Sequence, residues 1–168
     1  MSIFKPKMYK KSIYDIDYQK LKEKDIKLII FDLDNTIGRI KDETPPKKVI
    51  ELINKLSKDF KVVVASNNME KRVYKFCSKL NCDYFSCVLK PSTKIGLLIK
   101  KKYKIGSAHT CIIGDQLLTD ILMGNRLKMF TILVDPISEK EYKITHFNRL
   151  LEKRLMKRIN LKKGDYYE

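Results

Sequence analysis

The chain has 168 residues, 43% of them hydrophobic, which is enough for one packed core rather than a disordered or metal-stapled scaffold. Its 36 Lys plus Arg against 20 Asp plus Glu leave a formal charge of +16, which points to phosphate, nucleic acid or an anionic membrane without choosing among them. No apolar run approaches the roughly 18 residues of a membrane span, and the opening MSIFKPKMYKK lacks the apolar stretch of a secretory signal, so a cytosolic chain with reduced thiols is expected.

Residues 1–26 read as a lead-in, with one short helix over 17–24. From there apolar, β-branched runs alternate with stretches of helical period. Strands are predicted at KLIIFDL (27–33), FKVVVAS (60–66), DYFSCVL (83–89), TCIIGD (110–115) and MFTILVD (129–135); helices fill 45–57, 69–80, 92–102 and 117–127, and a last one spans 139–160. This is the rhythm of a parallel sheet covered on both faces, in one α/β domain spanning 1–168. Thr44 ahead of Pro45-Pro46 is a candidate cap for one helix, and Asn68 precedes the next. Cys77, Cys82, Cys87 and Cys111 form no CxxC pair and are expected to be small buried hydrophobes rather than zinc ligands.

Ligands of such sheets bind at the carboxyl ends of the strands, and four strands here end in polar residues. The first ends at Asp32, Asp34 and Thr36, the second at Ser66, Asn67 and Asn68, the third at Lys90, and the fourth at Gly114-Asp115 with Asp120 following. Each cluster alone would pass for a turn or a helix cap. A calcium loop starting at Asp32 fails because Ile37 stands where that loop needs glycine. Together the four fit phosphoryl transfer, in which positioning and charge neutralisation dominate. A carboxylate supplies the nucleophile. Converging carboxylates facing a phosphate call for a hard cation, and oxygen ligands favour Mg²⁺. Asp34 is placed to move protons, and Lys90 adds a second positive charge.

At these residues the sequence resembles the haloacid dehalogenase (HAD) superfamily of aspartate-nucleophile phosphatases. DLDNT (32–36) looks like its DxDxT motif, Ser66 and Lys90 like its second and third, and GDQLLTD (114–120) like its fourth. More narrowly, SIYDID, SNN, EKRV, LKP, GNRL and the basic tail resemble the YqeG group of subclass IIIA, which is similar to mitochondrial phosphatidylglycerophosphate phosphatases. The resemblance implies a Rossmann-like, doubly wound HAD fold. It makes Asp32 the nucleophile and a metal ligand, and Asp34 the acid/base, whose main-chain carbonyl also faces the metal. Asp115 would be the second carboxylate ligand, while Asp120 would hold a metal water or Lys90 from the outer shell. Thr36, Ser66, Asn67 and Lys90 would bind substrate.

The intervals from Thr36 to Pro46 and from Ser66 to Lys90 leave no room for a cap domain, so the fold is read as capless and the substrate as large. Residues 143–168 carry eight Lys or Arg and three Asp or Glu, with an apolar stripe of Ile144, Phe147, Leu150, Leu151, Leu155 and Ile159. Such a helix either lies on an anionic membrane or packs on the sheet. The expected activity is Mg²⁺-dependent hydrolysis of phosphatidylglycerophosphate at the inner membrane face. The alternatives are a HAD phosphatase of nucleic-acid ends or phosphoproteins, and a non-catalytic RNA- or ribosome-binding protein.

Overall fold

The computed structural model describes residues 2–138 and 143–168, without side chains over 143–149. Six strands form one parallel sheet: β1 (Met8–Lys10), β2 (Leu28–Phe31), β3 (Lys61–Ala65), β4 (Asp83–Phe85), β5 (Thr110–Gly114) and β6 (Phe130–Val134), in spatial order β1-β6-β5-β2-β3-β4. The helices are α1 (Tyr18–Glu23), α2 (Lys47–Leu56), α3 (Glu70–Cys77), α4 (Lys94–Tyr103), α5 (Leu122–Arg126) and α6 (Lys143–Arg158).

Strand β2, LIIF, is central because all four of its residues are buried, and side chains alternate between two covered faces. Ile29 and Phe31 join Val62, Val64, Ile113 and Phe76 in one core; Leu28 and Ile30 join Val63, Ile112, Ile99 and Met123 in the other. The chain leaves β2 toward β3 and β4, then returns to the opposite side of β2 for β5 and β6. That reversal opens a crevice beyond the carboxyl end of β2.

The lead-in contributes more than its helix, since Met8–Lys10 pairs with Ile132–Val134 as an edge strand too short for a periodic signal. Tyr167 seals this edge, exchanging main-chain hydrogen bonds of 2.9 Å in both directions with Tyr9. The third predicted strand ends early: β4 stops at Phe85, and Lys90 belongs to the loop that follows. The helix at 117–127 opens as a π-helical turn, Leu117–Ile121, before becoming α5. Neither expected residue is the cap itself: Pro46 holds that position before α2 and Met69 before α3, while Asn68 Oδ1 accepts from Met69 N at 2.8 Å one residue earlier. Of the four cysteines, Cys77 and Cys111 are buried, Cys82 is half-buried and Cys87 is exposed, which corrects the expectation for Cys87.

The last helix runs over Lys143–Arg158; residues 139–142, where it was expected to begin, lie outside the described residues, as do the side chains of Ile144 and Phe147. Leu155, Met156 and Ile159 pack on Tyr9, Leu117, Ile121 and Leu133, so the C-terminal half of the apolar stripe is spent on the fold. No helix among the described residues is long and apolar enough to cross a membrane.

Candidate active site

The turn after β2 folds back on Leu33, whose carbonyl accepts from Thr36, Ile37 and Gly38. Asn35 takes the left-handed conformation this requires, with φ 65°. The turn brings Asp32, Asp34 and Thr36 to the crevice. Ser66, Asn67 and Asn68 follow β3, Asp115 follows β5, and the π-helical turn returns Asp120 beneath it. Gly114 permits that return, because a Cβ there would lie 2.3 Å from the Asp120 carboxyl carbon. A cavity of about 320 Å³ opens above, lined by Asp32, Asp34, Ser66, Asn67 and Lys90 among others.

Lys90 forms the centre of the charge arrangement. Its ammonium donates to Asp32 Oδ1 at 2.5 Å, Asp120 Oδ1 at 2.7 Å and the Ala65 carbonyl at 2.8 Å, so all three donors are used. Contact with Lys90 is one of the two roles the HAD resemblance offered Asp120. Asn67 fixes the Lys90 main chain from both sides: Lys90 N donates to its Oδ1 at 2.6 Å and its amide donates to the Lys90 carbonyl at 3.1 Å. The Thr36 hydroxyl lies 3.3 Å from both Asp32 Oδ2 and Asp115 Oδ1, bridging the two carboxylates. Ser66 Oγ accepts from Asn68 N at 3.1 Å, holding the start of the loop in a tight turn.

Burial pushes the Asp32 carboxyl up to about 7, against the opposing pull of the Lys90 charge. Burial alone would also lower Lys90, but the charges of Asp120 and Asp32 outweigh it and hold the ammonium above its ordinary value. Lys90 is therefore charged throughout the neutral range. Oxygens of Asp32, Asp115 and Asp120 all lie within 4.8 Å of one another, and all three residues are buried. An oxygen-only set of this kind fits a hard divalent cation.

The family model for mitochondrial PGP phosphatase matches residues 1–138. The chain belongs to that family. It is 36% identical over 160 residues to the probable phosphatase YqeG of Bacillus subtilis (strain 168), covering 95% of this chain and 93% of the relative. Its fold is similar to that of a haloacid dehalogenase-like family hydrolase from Xanthomonas campestris, at 10% identity and TM-score 0.56 over 76% of this chain and 91% of that one. A HAD family enzyme from Bacteroides thetaiotaomicron, solved as a magnesium complex, matches at 13% identity and TM-score 0.52, covering 72% and 98% respectively. The protein is thus a phosphatase of the mitochondrial PGP phosphatase family with a HAD-like fold.

In this family member, the residues that hold Asp34 escaped the sequence reading. Arg72 Nη2 pairs with Asp34 Oδ1 at 2.9 Å and Asn68 donates to Oδ2 at 3.1 Å, so each carboxylate oxygen has its own donor. Arg72 also donates to the carbonyls of Arg39 and Asp42, at 3.1 and 2.6 Å, tying the loop beyond Asp34 to α3. In the sequence EKRV is only a string shared with the YqeG group, and no local pattern shows that its arginine reaches across to a residue 38 positions earlier. Replacing Arg72 with Ala is expected to lower kcat by roughly 10- to 100-fold through misplacement of Asp34. KM should change little, and Arg72→Lys should recover part of the loss. Steady-state kinetics on an aryl phosphate reads both, and a wild-type kcat in the Ala variant would refute the positioning role.

Proposed function

We propose that this phosphatase hydrolyses phosphomonoesters through an aspartyl-phosphate intermediate on Asp32, and that its substrate is phosphatidylglycerophosphate at the cytoplasmic face of a membrane. The carrying observation is the buried set of Asp32, Lys90 and Asp120 beneath an open cavity, with Asp34 at its side on separate donors. An ammonium buried among carboxylates beneath a cavity is the pattern of charged groups placed for chemistry.

Asp32 Oδ attacks phosphorus while the P–O bond to the alcohol breaks, and Asp34 gives the leaving alkoxide its proton. Asp34 then takes a proton from the water that attacks the acyl phosphate, which frees Asp32 and inorganic phosphate. Ser66 and Asn67 hold phosphoryl oxygens, Asn67 through its main-chain N–H because its side chain is committed to Lys90. Lys90 offsets the charge of the nucleophile and of the intermediate. Asp32, the Asp34 carbonyl and Asp115 would hold Mg²⁺, with Asp120 behind them. When bound, the ion supplies positive charge to the phosphoryl oxygens and makes the closeness of the carboxylates tolerable.

The lipid substrate rests on membership of a family described as mitochondrial PGP phosphatase and on an open site over which no cap domain stands among the described residues. It predicts release of inorganic phosphate from phosphatidylglycerophosphate in mixed micelles with Mg²⁺, and loss of that release with a chelator. If the lipid is untouched while an aryl phosphate is cleaved, the lipid assignment fails and phosphorylated nucleic-acid ends or phosphoproteins become the substrates to test.

A further inference from the structure

We propose that the mouth of the active site is itself a membrane-docking face, with Met69 and Leu89 entering the interface of an anionic bilayer and Lys41 and Lys71 meeting its headgroups. The proposal rests on the phosphatase reading for the identity of the site, and it adds the surface on which that site works.

Met69 and Leu89, each 73% exposed, stand further into solvent than any other large apolar side chain among the described residues. They flank the catalytic positions directly: Met69 follows Ser66-Asn67-Asn68, and Leu89 precedes Lys90. Their two loops are joined side by side. Cys87 N donates to the Asn68 carbonyl at 2.9 Å, Val88 N to the Ser66 carbonyl at 3.2 Å, and Lys90 N to Asn67 Oδ1 at 2.6 Å. Retracting either tip would therefore disturb the site. Leu89 is held at φ 54°, a left-handed conformation that non-glycine residues seldom adopt, and its side chain stays mostly in solvent. Ile137, 46% exposed, donates its N–H at 3.0 Å to the carbonyl of Asn35, which lines the cavity.

The single apolar tips and the chain's +16 charge together name the partner. A groove of about 510 Å³ shares Ile40 and Asn68 with the catalytic cavity and carries exposed Lys41 and Lys71 beside Met69. Of its acids, Glu43 pairs with Lys75 at 2.7 Å, while Asp42 accepts from Arg39 N at 2.9 Å and keeps its charge. Glu70, next to Met69, accepts from the Tyr84 hydroxyl at 2.9 Å and from Ser86. Lys41 and Lys71 form no ion pair among the described residues. Apolar loop tips beside such lysines suit a lipid interface, where aliphatic ends reach the acyl boundary and amines stay with phosphates. A protein partner would need a broader apolar patch than these single tips. The C-terminal helix is a poorer candidate, because Leu155, Met156 and Ile159 are already packed on the fold. Docking by the rim also faces the open cavity toward any phosphomonoester that projects from the bilayer.

The test is sedimentation of the full chain with vesicles of phosphatidylglycerol and phosphatidylcholine, compared with phosphatidylcholine alone, with no substrate present. Wild type should bind the anionic vesicles, and Met69→Ser/Leu89→Ser should bind them about tenfold more weakly. Lys41→Gln/Lys71→Gln should lose much of the preference for anionic lipid and its salt sensitivity. Both double variants should cleave a soluble aryl phosphate at the wild-type rate, which verifies that they fold. Sedimentation of Met69→Ser/Leu89→Ser equal to wild type would overturn the proposal, as would wild type that ignores anionic vesicles. Failure of the lipid-substrate reading would show instead as absent phosphate release, a separate readout from vesicle binding.

Discussion

Asp32→Asn is expected to lose turnover by roughly 10⁴-fold or more on every phosphomonoester, with the protein still folded, because removal of a covalent nucleophile leaves only binding and charge stabilisation. The amide is nearly the same size, and its oxygen can still accept from Lys90, which also keeps Asp120 and the Ala65 carbonyl as partners. Burst kinetics on an aryl phosphate would show no phosphoenzyme in the variant. A residual rate within tenfold of wild type would mean that Asp32 does not attack phosphorus.

The same substitution should leave a second mark, on stability. The Asp32 carboxyl rises from 3.8 to about 7 on folding, chiefly through burial. Between those values the folded chain holds a proton that the unfolded chain has released, so the metal-free wild type loses stability as pH climbs across the window. Above about 7 both states are ionised at this residue, and its contribution stops changing. Asparagine does not titrate, so the variant should lack this slope and, at pH 8 without metal, melt no lower than wild type. A trade of this kind is what a residue placed for chemistry rather than for packing would show.

Three of the four strand ends were legible because hydrophobic runs set their register and the topology rule then placed their polar residues together, whereas the third strand stops at Phe85 and a loop carries Lys90 to the site. Ile29, Ile30 and Phe31 announced the central strand, and DLDNT could point only into the crevice beyond it. The residues that organise the cluster were less visible. Asn67 reads as a loop or cap residue until the fold brings Lys90 beside it, and Arg72 reads as one more solvated base on a basic helix. Met8–Lys10 was hidden for another reason, since three residues cannot show alternation and an edge strand is defined by its neighbour. The C-terminal stripe had two lawful readings, and packing against Tyr9 and Leu133 chose one for Leu155 and Ile159.

Lys90→Met should lower kcat by roughly 10²- to 10³-fold, the scale set by losing one preorganised charge from the transition state. Methionine nearly matches the lysine stem, so the variant removes the ammonium and little else. Its loss also strips Asp32 and Asp120 of the cation they share at 2.5 and 2.7 Å, and breaking such a buried pair costs about 3 kcal/mol or more. Denaturant melts of the metal-free protein should register that deficit. Arginine should not rescue the rate, because the site is built for one compact ammonium with three acceptors within 2.8 Å, and a planar guanidinium has no room among them. If Lys90 served only to offset carboxylate charge, excess Mg²⁺ would restore both stability and rate. The contacts predict that it restores stability in part and leaves the rate low, because a cation among the carboxylates does not take up the position of the Nζ atom between Asp32 and Asp120. Recovery of wild-type kcat by Mg²⁺ alone would reduce Lys90 to a counter-ion.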